Sequence, residues 1–243
     1  MSLDGGLRLL SIIVRDGGQR PIAVIARDAG IPLSTAQRWV AAFERHQLLV
    51  QGERGRRVAG AGLVAMTKEH SLHASLRGYA MPLLRQFANA HSVTVHLGIW
   101  DGEMVTYVAK ASAGEELFTR ENMKLEGYCT AIGKVLLAHL GSPDRDAYIA
   151  AGPFVSLTER TIVLPVQLRA ELAGVLRQGY ALDQEEVQKG LFCFAVPIRD
   201  ASGTVQAALS VSSRAGEISF SRAEGRAEIV DLAHSIERLM FHR

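Results

Sequence analysis

The stretch that decides the fold of the N-terminal part is residues 21–45, PIAVIARDAGIPLSTAQRWVAAFER. Its first half carries four apolar residues at the spacing of one helix face: Ile22, Ile25, Ala26 and Ala29. Gly30 can end this helix, and Pro32 can open the next. The second helix has its own apolar side, with Ala36, Val40 and Phe43 in line and Trp39 at the edge. The pattern predicts two short helices joined by a tight turn.

The opposite side of the second helix is polar. It presents Ser34, Arg38, Ala41 and Arg45, flanked by Gln37. A hydroxyl, an amide and two guanidinium groups on one helix face can contact base edges and phosphates in the DNA major groove. Amphipathic helix pairs also occur in proteins that do not bind DNA, so this pair leaves both interpretations open.

A predicted hairpin after the second helix favours DNA binding. Leu48–Gln51 is typical of a strand, Gly52–Gly55 of a turn, and Arg56–Ala59 of a return strand. Three arginines, Arg54, Arg56 and Arg57, would lie near its tip. Ahead of the helix pair, a further helix is predicted with an apolar stripe of Leu7, Leu10 and Val14. Together these elements predict a winged helix.

The predicted DNA contacts divide by chemistry. We expect Ser34, Gln37 and Arg38 to face bases, because Arg can pair with guanine and Gln with adenine. Phosphate contacts, which position the protein without reading sequence, are expected from Thr35, Arg45, Arg54, Arg56 and Arg57. For Arg45, an ordinary solvated helix end is an equally good interpretation. For Trp39, packing in the core is preferred to DNA contact.

Charge is divided unevenly along the 243 residues. Residues 1–67 hold nine Arg, no Lys and five acidic residues, a net charge of +4. The remainder holds 18 basic and 20 acidic residues, a net charge of −2. The overall net charge of +2 therefore combines a basic N-terminal part, residues 1–67, which we call the head, with a slightly acidic remainder, which we call the body. Arg without Lys suits bidentate contacts to guanine and phosphate, although a GC-rich genome also favours Arg codons. We predict a DNA-binding domain at 1–67, a helical linker at 68–76 and a second domain at 77–243.

Several classes of protein are disfavoured by composition. No apolar run reaches the length of roughly 20 residues that a membrane helix needs, and residues 1–10 lack a secretory pattern. The two cysteines, Cys129 and Cys193, make no disulfide framework, and no Cys/His cluster has zinc spacing. We therefore expect a soluble cytoplasmic protein with no membrane partner, metal or cofactor.

The body has the signature of an α+β domain. Residues 60–75 are predicted to be a short helix and connector, and residues 76–90 a helix that Pro82 either kinks or opens. Strands are predicted at 93–100 and 104–108 around an Asp101-Gly102 turn, and at 191–198 and 205–212. Further helices are predicted at 130–140, 167–178 and 222–241. Helices flanking a largely antiparallel sheet are typical of an α+β sensor domain.

The chain resembles the IclR family of bacterial transcription regulators over nearly its whole length. The body carries TAIGKVLLAHL (130–140), LTERTI (157–162) and LRAELAGVLRQGYALDQEEVQKGLFCFAVPIRDASGTVQAALSVS (168–212) in the family's order. The resemblance implies a winged helix-turn-helix domain, a linker helix and a GAF-like effector-binding domain. It also implies a homodimer or dimer of dimers that binds double-stranded DNA at a pseudo-palindromic operator, often as a repressor. At 124–129 the chain lacks the family's usual Pro-Leu-His.

The resemblance also places an effector site against the start of the helix at 130–140. The matching positions are Leu117, Leu125, Ala131, Ile132, Asp183, Cys193, Ser210 and Ser212. The first amides of a helix favour an anion, and Ser210 and Ser212 point to the same side of a strand. A small organic or aromatic carboxylate is the expected effector, with Asp183 accepting from a hydroxyl or a water. The alternative for each serine is an ordinary polar strand residue.

An alternative class is a GAF-domain enzyme with a redox-active cysteine, fused to the DNA-binding head. A reactive thiolate requires a cationic neighbour, whereas Cys193 lies in an apolar strand, Leu191–Ala195. No Ser/His/Asp or metal-ligand arrangement is evident either. We therefore expect a regulator and not an enzyme. A DNA-binding architectural protein without a ligand is a third alternative, which the long body disfavours.

Overall fold

The computed structural model describes residues 2–67, 72–114, 116–214 and 223–241. The chain forms two compact units, residues 1–71 and residues 72–243. Part of the predicted linker, residues 68–71, lies outside the described residues. A helix that begins at Leu72 runs across the predicted boundary between 76 and 77, and the predicted domain limits stay predictions.

The N-terminal unit is a winged helix. Its elements are α1 (Leu3–Asp16), α2 (Ile22–Asp28), α3 (Leu33–Arg45), β1 (Leu49–Gln51), a short 3-10 turn (Glu53–Gly55), β2 (Arg57–Ala59) and α4 (Ala61–Thr67). The strands β1 and β2 pair antiparallel, with Leu49 opposite Ala59 and Gln51 opposite Arg57. The predicted helix pair and hairpin are therefore confirmed. Gly30 adopts a positive φ of 68° in the turn between α2 and α3, a conformation that favours glycine.

The predicted apolar stripe of α1 is confirmed at Leu10, which is buried, and wrong at Leu7 and Val14. Leu7 is 55% exposed and Val14 36% exposed, whereas Leu9 and Ile13 are completely buried. Apolar residues lie on more than one side of α1, so the local pattern allows two inward faces. The choice depends on α3, since Trp39 packs so closely on α1 that a Cβ at Gly5 would lie 2.8 Å from its ring. The preference for Trp39 as a packing residue is thereby confirmed.

The C-terminal unit is an antiparallel sheet with helices on both faces. Its helices are α5 (Leu72–His91), α6 (Ala131–His139), α7 (Ser142–Ala150), α8 (Pro165–Gln178) and α9 (Ala223–Phe241). Its strands are β3 (Thr94–Asp101), β4 (Met104–Ser112), β5 (Lys124–Glu126), β6 (Ala181–Gln184), β7 (Leu191–Arg199) and β8 (Val205–Arg214). The order across the sheet is β5-β4-β3-β8-β7-β6, which confirms the α+β class. Pro82 lies inside α5, so its alternative placement in a first turn is wrong.

The two faces of the sheet have different partners. One face packs against α5 and α9 through side chains such as Val95, Leu97 and Val211. The other face packs against α6, on which α8 packs in turn, and it carries the polar side chains described below. Gly98 in β3 permits close approach of α6, because a Cβ there would lie 2.8 Å from Ile132 Cγ2. Two short strands, β5 and β6, and the helix α7 were not predicted from the sequence.

Candidate functional site

The outward side of α3 presents the residues predicted to contact bases. Ser34, Gln37 and Arg38 are all exposed, and Thr35 is partly buried. Ala36 and Val40, on the opposite side, are buried in the core of the N-terminal unit. Arg45 is exposed in the last turn of α3. This face is therefore available to DNA, and its individual contacts remain predictions.

The three wing arginines have different environments. Arg54 is exposed in the 3-10 turn at the tip. Arg56 donates from Nη1 to the carbonyl of Gly18 at 3.1 Å, which ties the wing to the end of α1. Arg57 forms an ion pair with Glu44 of α3, with 2.6 Å between Nε and Oε1. Arg54 thus has the placement that a phosphate contact at the wing tip needs, while Arg56 and Arg57 also hold the wing in place.

In the C-terminal unit, all eight predicted effector residues line one cavity between the sheet and the start of α6. These are Leu117, Leu125, Ala131, Ile132, Asp183, Cys193, Ser210 and Ser212. Sequence reasoning missed seven further lining residues: His96, Tyr107, Phe118, Thr119, Thr130, Val187 and Leu191. The cavity is narrow, with a volume of about 10 Å³, which is about the room that one water needs.

Asp183 lies at one side of this cavity, in a row of polar groups that crosses the sheet. Strand pairing places Asp183 opposite Cys193, Cys193 opposite Ser212, and Ser212 opposite Thr94. Ser212 Oγ donates to Cys193 Sγ at 3.2 Å. The amide of Glu186 donates to Asp183 Oδ1 at 2.7 Å, while Oδ2 is buried with no hydrogen-bond partner among the described residues. Burial raises the pKa of Asp183 to about 7.

His96 lies in a second polar row, two residues further along the strands, where it is opposite Lys110 on one side and Ser210 on the other. Its Nε2 and Thr119 Oγ1 are joined by a hydrogen bond of 2.7 Å, and its ring stacks on Tyr107 at 4.8 Å between centroids. Burial, with a smaller contribution from the charge of Lys110, lowers the pKa of His96 to about 3. The imidazole is therefore neutral. The alternation in residues 93–100 could have assigned His96 to this face, because Val95 and Leu97 face the other side.

The third component of the cavity is the N-terminus of α6. Thr130 is its N-cap, and Thr130 Oγ1 accepts from the amide of Gly133 at 3.1 Å. Ala131 and Ile132 follow as the first helical residues, and both line the cavity. The first amides of a helix lack partners within the helix and favour an anion or a polar group in front of them.

All three residues of a short segment, Leu117–Thr119, line the cavity, and we refer to this segment as the cover segment. Lys110 Nζ donates to two of its carbonyls, that of Leu117 at 3.1 Å and that of Thr119 at 2.5 Å. Together with the bond between His96 and Thr119, these contacts hold the cover segment against the sheet. A molecule larger than water can be accommodated only if the surrounding residues move, because the cavity has room for about one water.

A buried ion network supports the Asp183 side of the cavity. Lys134, in α6, is 1% exposed, and its Nζ lies 2.5 Å from Glu186 Oε1 and 3.2 Å from Glu171 Oε1. The same Nζ donates to the carbonyl of Leu182 at 2.9 Å. Lys134 therefore contacts the chain on both sides of Asp183, at Leu182 and at Glu186. A lysine within the apolar run 131–138 was the available sequence signal for this network.

The two cysteines have environments that disfavour thiolates. Cys129 is buried, and burial raises its pKa to about 12. Burial of the Cys193 thiol raises its pKa well above the ordinary value, and the nearby Asp183 adds to the effect.

Within the described ranges, no group of three or more His, Cys, Asp or Glu residues could hold a metal ion. In the same part of the chain, no helix is both long and apolar enough to span a membrane.

A winged helix with an exposed polar recognition face, in one chain with a sheet domain that encloses a polar cavity, defines a DNA-binding regulator with a sensory domain. Comparison with known proteins agrees with this class. Residues 2–53 match the IclR helix-turn-helix domain, and residues 70–238 match the bacterial transcriptional regulator IclR C-terminal domain. The chain therefore belongs to the IclR family, and it is a DNA-binding transcription regulator of the IclR type.

Individual relatives support this assignment along the whole chain. The HTH-type transcriptional regulator XynR of Escherichia coli K12 is 30% identical over 217 residues, covering 87% of this chain and 85% of that protein. The crystal structure of Thermotoga maritima IclR is similar with a TM-score of 0.64 and 26% identity, covering 98% of both chains. An IclR homologue from Microbacterium hydrocarbonoxydans, crystallised with 4-hydroxybenzoate, has a TM-score of 0.65, 26% identity and the same coverage. A redox enzyme finds no support among these proteins.

Proposed function

We propose that operator binding by this regulator is controlled by a small organic or aromatic acid that binds in the cavity of the C-terminal unit. The observation that carries the proposal is the convergence of the α6 N-terminus with buried hydroxyl groups on the facing sheet. Ser210 and Ser212 are 2% and 4% exposed, and apolar residues such as Leu117 and Ile132 complete the walls. A carboxylate can accept from the helix amides and the serine hydroxyls. The related protein that was crystallised with 4-hydroxybenzoate supports this class of effector.

The same proposal includes the mode of DNA binding. We infer that the protein acts as a homodimer or a dimer of dimers, in which two recognition helices read a pseudo-palindrome. The half-sites would be separated by about one helical turn or a multiple of it. The effector changes DNA affinity only if it binds the DNA-bound and the free conformations differently. We propose repression as the sense of regulation, because relatives such as the E. coli repressor IclR carry that function.

We propose that the protein is not an enzyme. Both thiols have raised pKa values, so neither resembles the thiolate that a redox cysteine would need. Turnover of a bound acid by the purified protein would contradict this part of the proposal.

The test is a thermal-shift screen of the full chain against benzoate, 4-hydroxybenzoate, phenylacetate, pyruvate and glyoxylate. An acid present at about 100 times its Kd adds roughly 2.7 kcal/mol to the stability of the native state. We expect at least one acid to raise the Tm, and the shift to disappear in a Ser210→Ala/Ser212→Ala variant. The matched control is Ser202→Ala, in an exposed turn of the same domain. A shift that survives in the double variant would place the effector elsewhere.

DNA binding is tested separately. An operator selected from random DNA by the purified protein would be titrated with and without the acid that raises the Tm. Loss or gain of affinity is expected for the wild type, and no response for the double serine variant. If the double variant also fails to bind the operator, the serines serve folding and not sensing.

A further inference from the structure

We propose that His96 is a specificity-determining residue of the cavity, which recognises an uncharged hydroxyl group of the effector separate from its acid group. This inference rests on the proposed function, because it concerns the same cavity. It adds a residue that was not among the effector residues predicted from the sequence, and it narrows the effector class to hydroxy acids.

The first argument is the state of the two ring nitrogens of His96. The residue is 1% exposed. Nε2 is joined to the hydroxyl of Thr119, whereas Nδ1 is buried and has no hydrogen-bond partner in the portion of the chain that the structure describes. A neutral imidazole has one donor and one acceptor, and a buried polar group without a partner is unfavourable. The ring can therefore bind one more polar group from within the cavity.

The second argument is the kind of group that fits. A hydroxyl group both donates and accepts, so it can pair with Nδ1 in either tautomer of the ring. A carboxylate only accepts, and it could pair with Nδ1 only when that nitrogen carries the proton. The partner of the other ring nitrogen, Nε2, is already a hydroxyl group, Thr119 Oγ1 at 2.7 Å. If the cover segment moves when the effector enters, an effector hydroxyl can also replace Thr119 at Nε2.

The third argument is the spacing of the polar groups. His96 and Ser210 form one row across the sheet, and Ser212, Cys193 and Asp183 form another, two residues further along. Two residues of a strand span about 7 Å. An effector with a polar group at each end can therefore contact both rows. The stacked ring of Tyr107, 4.8 Å from the ring of His96, holds the imidazole plane in one orientation.

The experiment compares pairs of acids that differ by one hydroxyl group, measured by calorimetric titration of the full chain. The pairs are 4-hydroxybenzoate and benzoate, 4-hydroxyphenylacetate and phenylacetate, and lactate and propionate. In the wild type we expect the hydroxy acid of at least one pair to bind at least about tenfold more tightly than its partner. In His96→Phe the preference should fall to about twofold or less, while the acid without the hydroxyl group keeps its affinity.

Two further variants keep the test decisive if His96→Phe folds poorly. His96→Asn retains a donor and an acceptor near the ring position, and it should preserve part of the preference. His139→Phe is the matched control, because His139 is a partly buried histidine that does not line the cavity. Binding of acids without a hydroxyl preference, or a preference that His96→Phe leaves unchanged, would overturn the inference and leave the proposed function intact. If no acid of any pair binds, both the inference and the acid-effector proposal fail.

Discussion

Lys134 Nζ lies 2.5 Å from Glu186 Oε1 inside the C-terminal unit, and both side chains are almost completely buried. The amide of Glu186 in turn donates to Asp183, so the ion pair is one hydrogen bond away from the wall of the cavity. A buried charge pair is costly to separate, because removal of one partner leaves the other charge without compensation. This relationship connects the stability of the domain with the shape of the candidate effector site.

Replacement of Lys134 by Met should destabilise the C-terminal unit by about 3 to 5 kcal/mol, because Glu186 and the carbonyl of Leu182 lose their common donor. Chemical denaturation of the full chain would measure the loss. The matched control is Lys124→Met, which removes a half-exposed ion pair with Asp101 and should cost less than about 1 kcal/mol. Equal effects of the two substitutions would mean that the buried pair has no special role.

The stability of the wild type should fall as pH rises from about 4 to about 7, relative to an Asp183→Asn variant. The pKa of Asp183 is raised to about 7 in the folded protein, against an ordinary value of 3.8. In this pH window the folded state keeps a proton that the unfolded state has lost, so folding becomes less favourable as pH increases. The difference in unfolding free energy between the wild type and Asp183→Asn should change by up to about 4 kcal/mol between pH of about 4 and about 7, and it should stay constant above that.

The control for this pH effect is Asp200→Asn. Asp200 lies on the surface, where its hydrogen bond with Ser202 lowers its pKa to about 2. Its contribution is lost only as pH falls from about 4 towards 2, so the variant should show no trend between pH of about 4 and 7. If the difference in unfolding free energy between the wild type and Asp183→Asn is also independent of pH, the Asp183 carboxyl group of the wild type is ionised in the folded protein.

The local elements of the DNA-binding unit were predictable, whereas the choice of buried faces was not always so. The spacing of Ala36 and Val40 identifies the inner side of α3 from the sequence alone, since only one stripe is possible there. In α1 two stripes compete, and contact with Trp39, which is 34 residues away from Gly5, decides between them. Non-local packing of this kind leaves no signal in the spacing of residues within one helix.

The cavity was predicted in part. Its eight predicted residues follow from family resemblance, whereas His96 and Thr119 become neighbours only when β3 and the cover segment fold together. Their separation of 23 residues in the sequence carries no indication of contact. The buried Lys134 had a local signal, a charge in an apolar helix, but its partners Glu171 and Glu186 depend on tertiary structure.

Replacement of Arg38 by Ala should relax DNA specificity at one base step by about 1 to 3 kcal/mol, because Arg38 is exposed on the recognition face of α3. Arg54→Ala should instead weaken binding to all sequences similarly. It should also reduce the steepness of log affinity against log salt concentration by about 1. Selection of operators from random DNA, followed by titration at several salt concentrations, would measure both effects. Uniform weakening by Arg38→Ala would contradict its assignment to a base.

The native protein should react slowly with a thiol reagent such as dithionitrobenzoate at pH 7, and the unfolded protein quickly. The raised pKa values of Cys129 and Cys193 leave almost no thiolate in the folded state, and the thiolate is the reactive species. Labelling would be followed by absorbance in buffer and in denaturant, with Cys129→Ser and Cys193→Ser variants to assign each phase. Rapid labelling of Cys193 in the native protein would contradict this prediction and would favour an enzyme with a redox-active cysteine. Protection of Cys193 by a bound acid would instead place that acid beside Ser212, since Ser212 Oγ is 3.2 Å from the Cys193 sulfur.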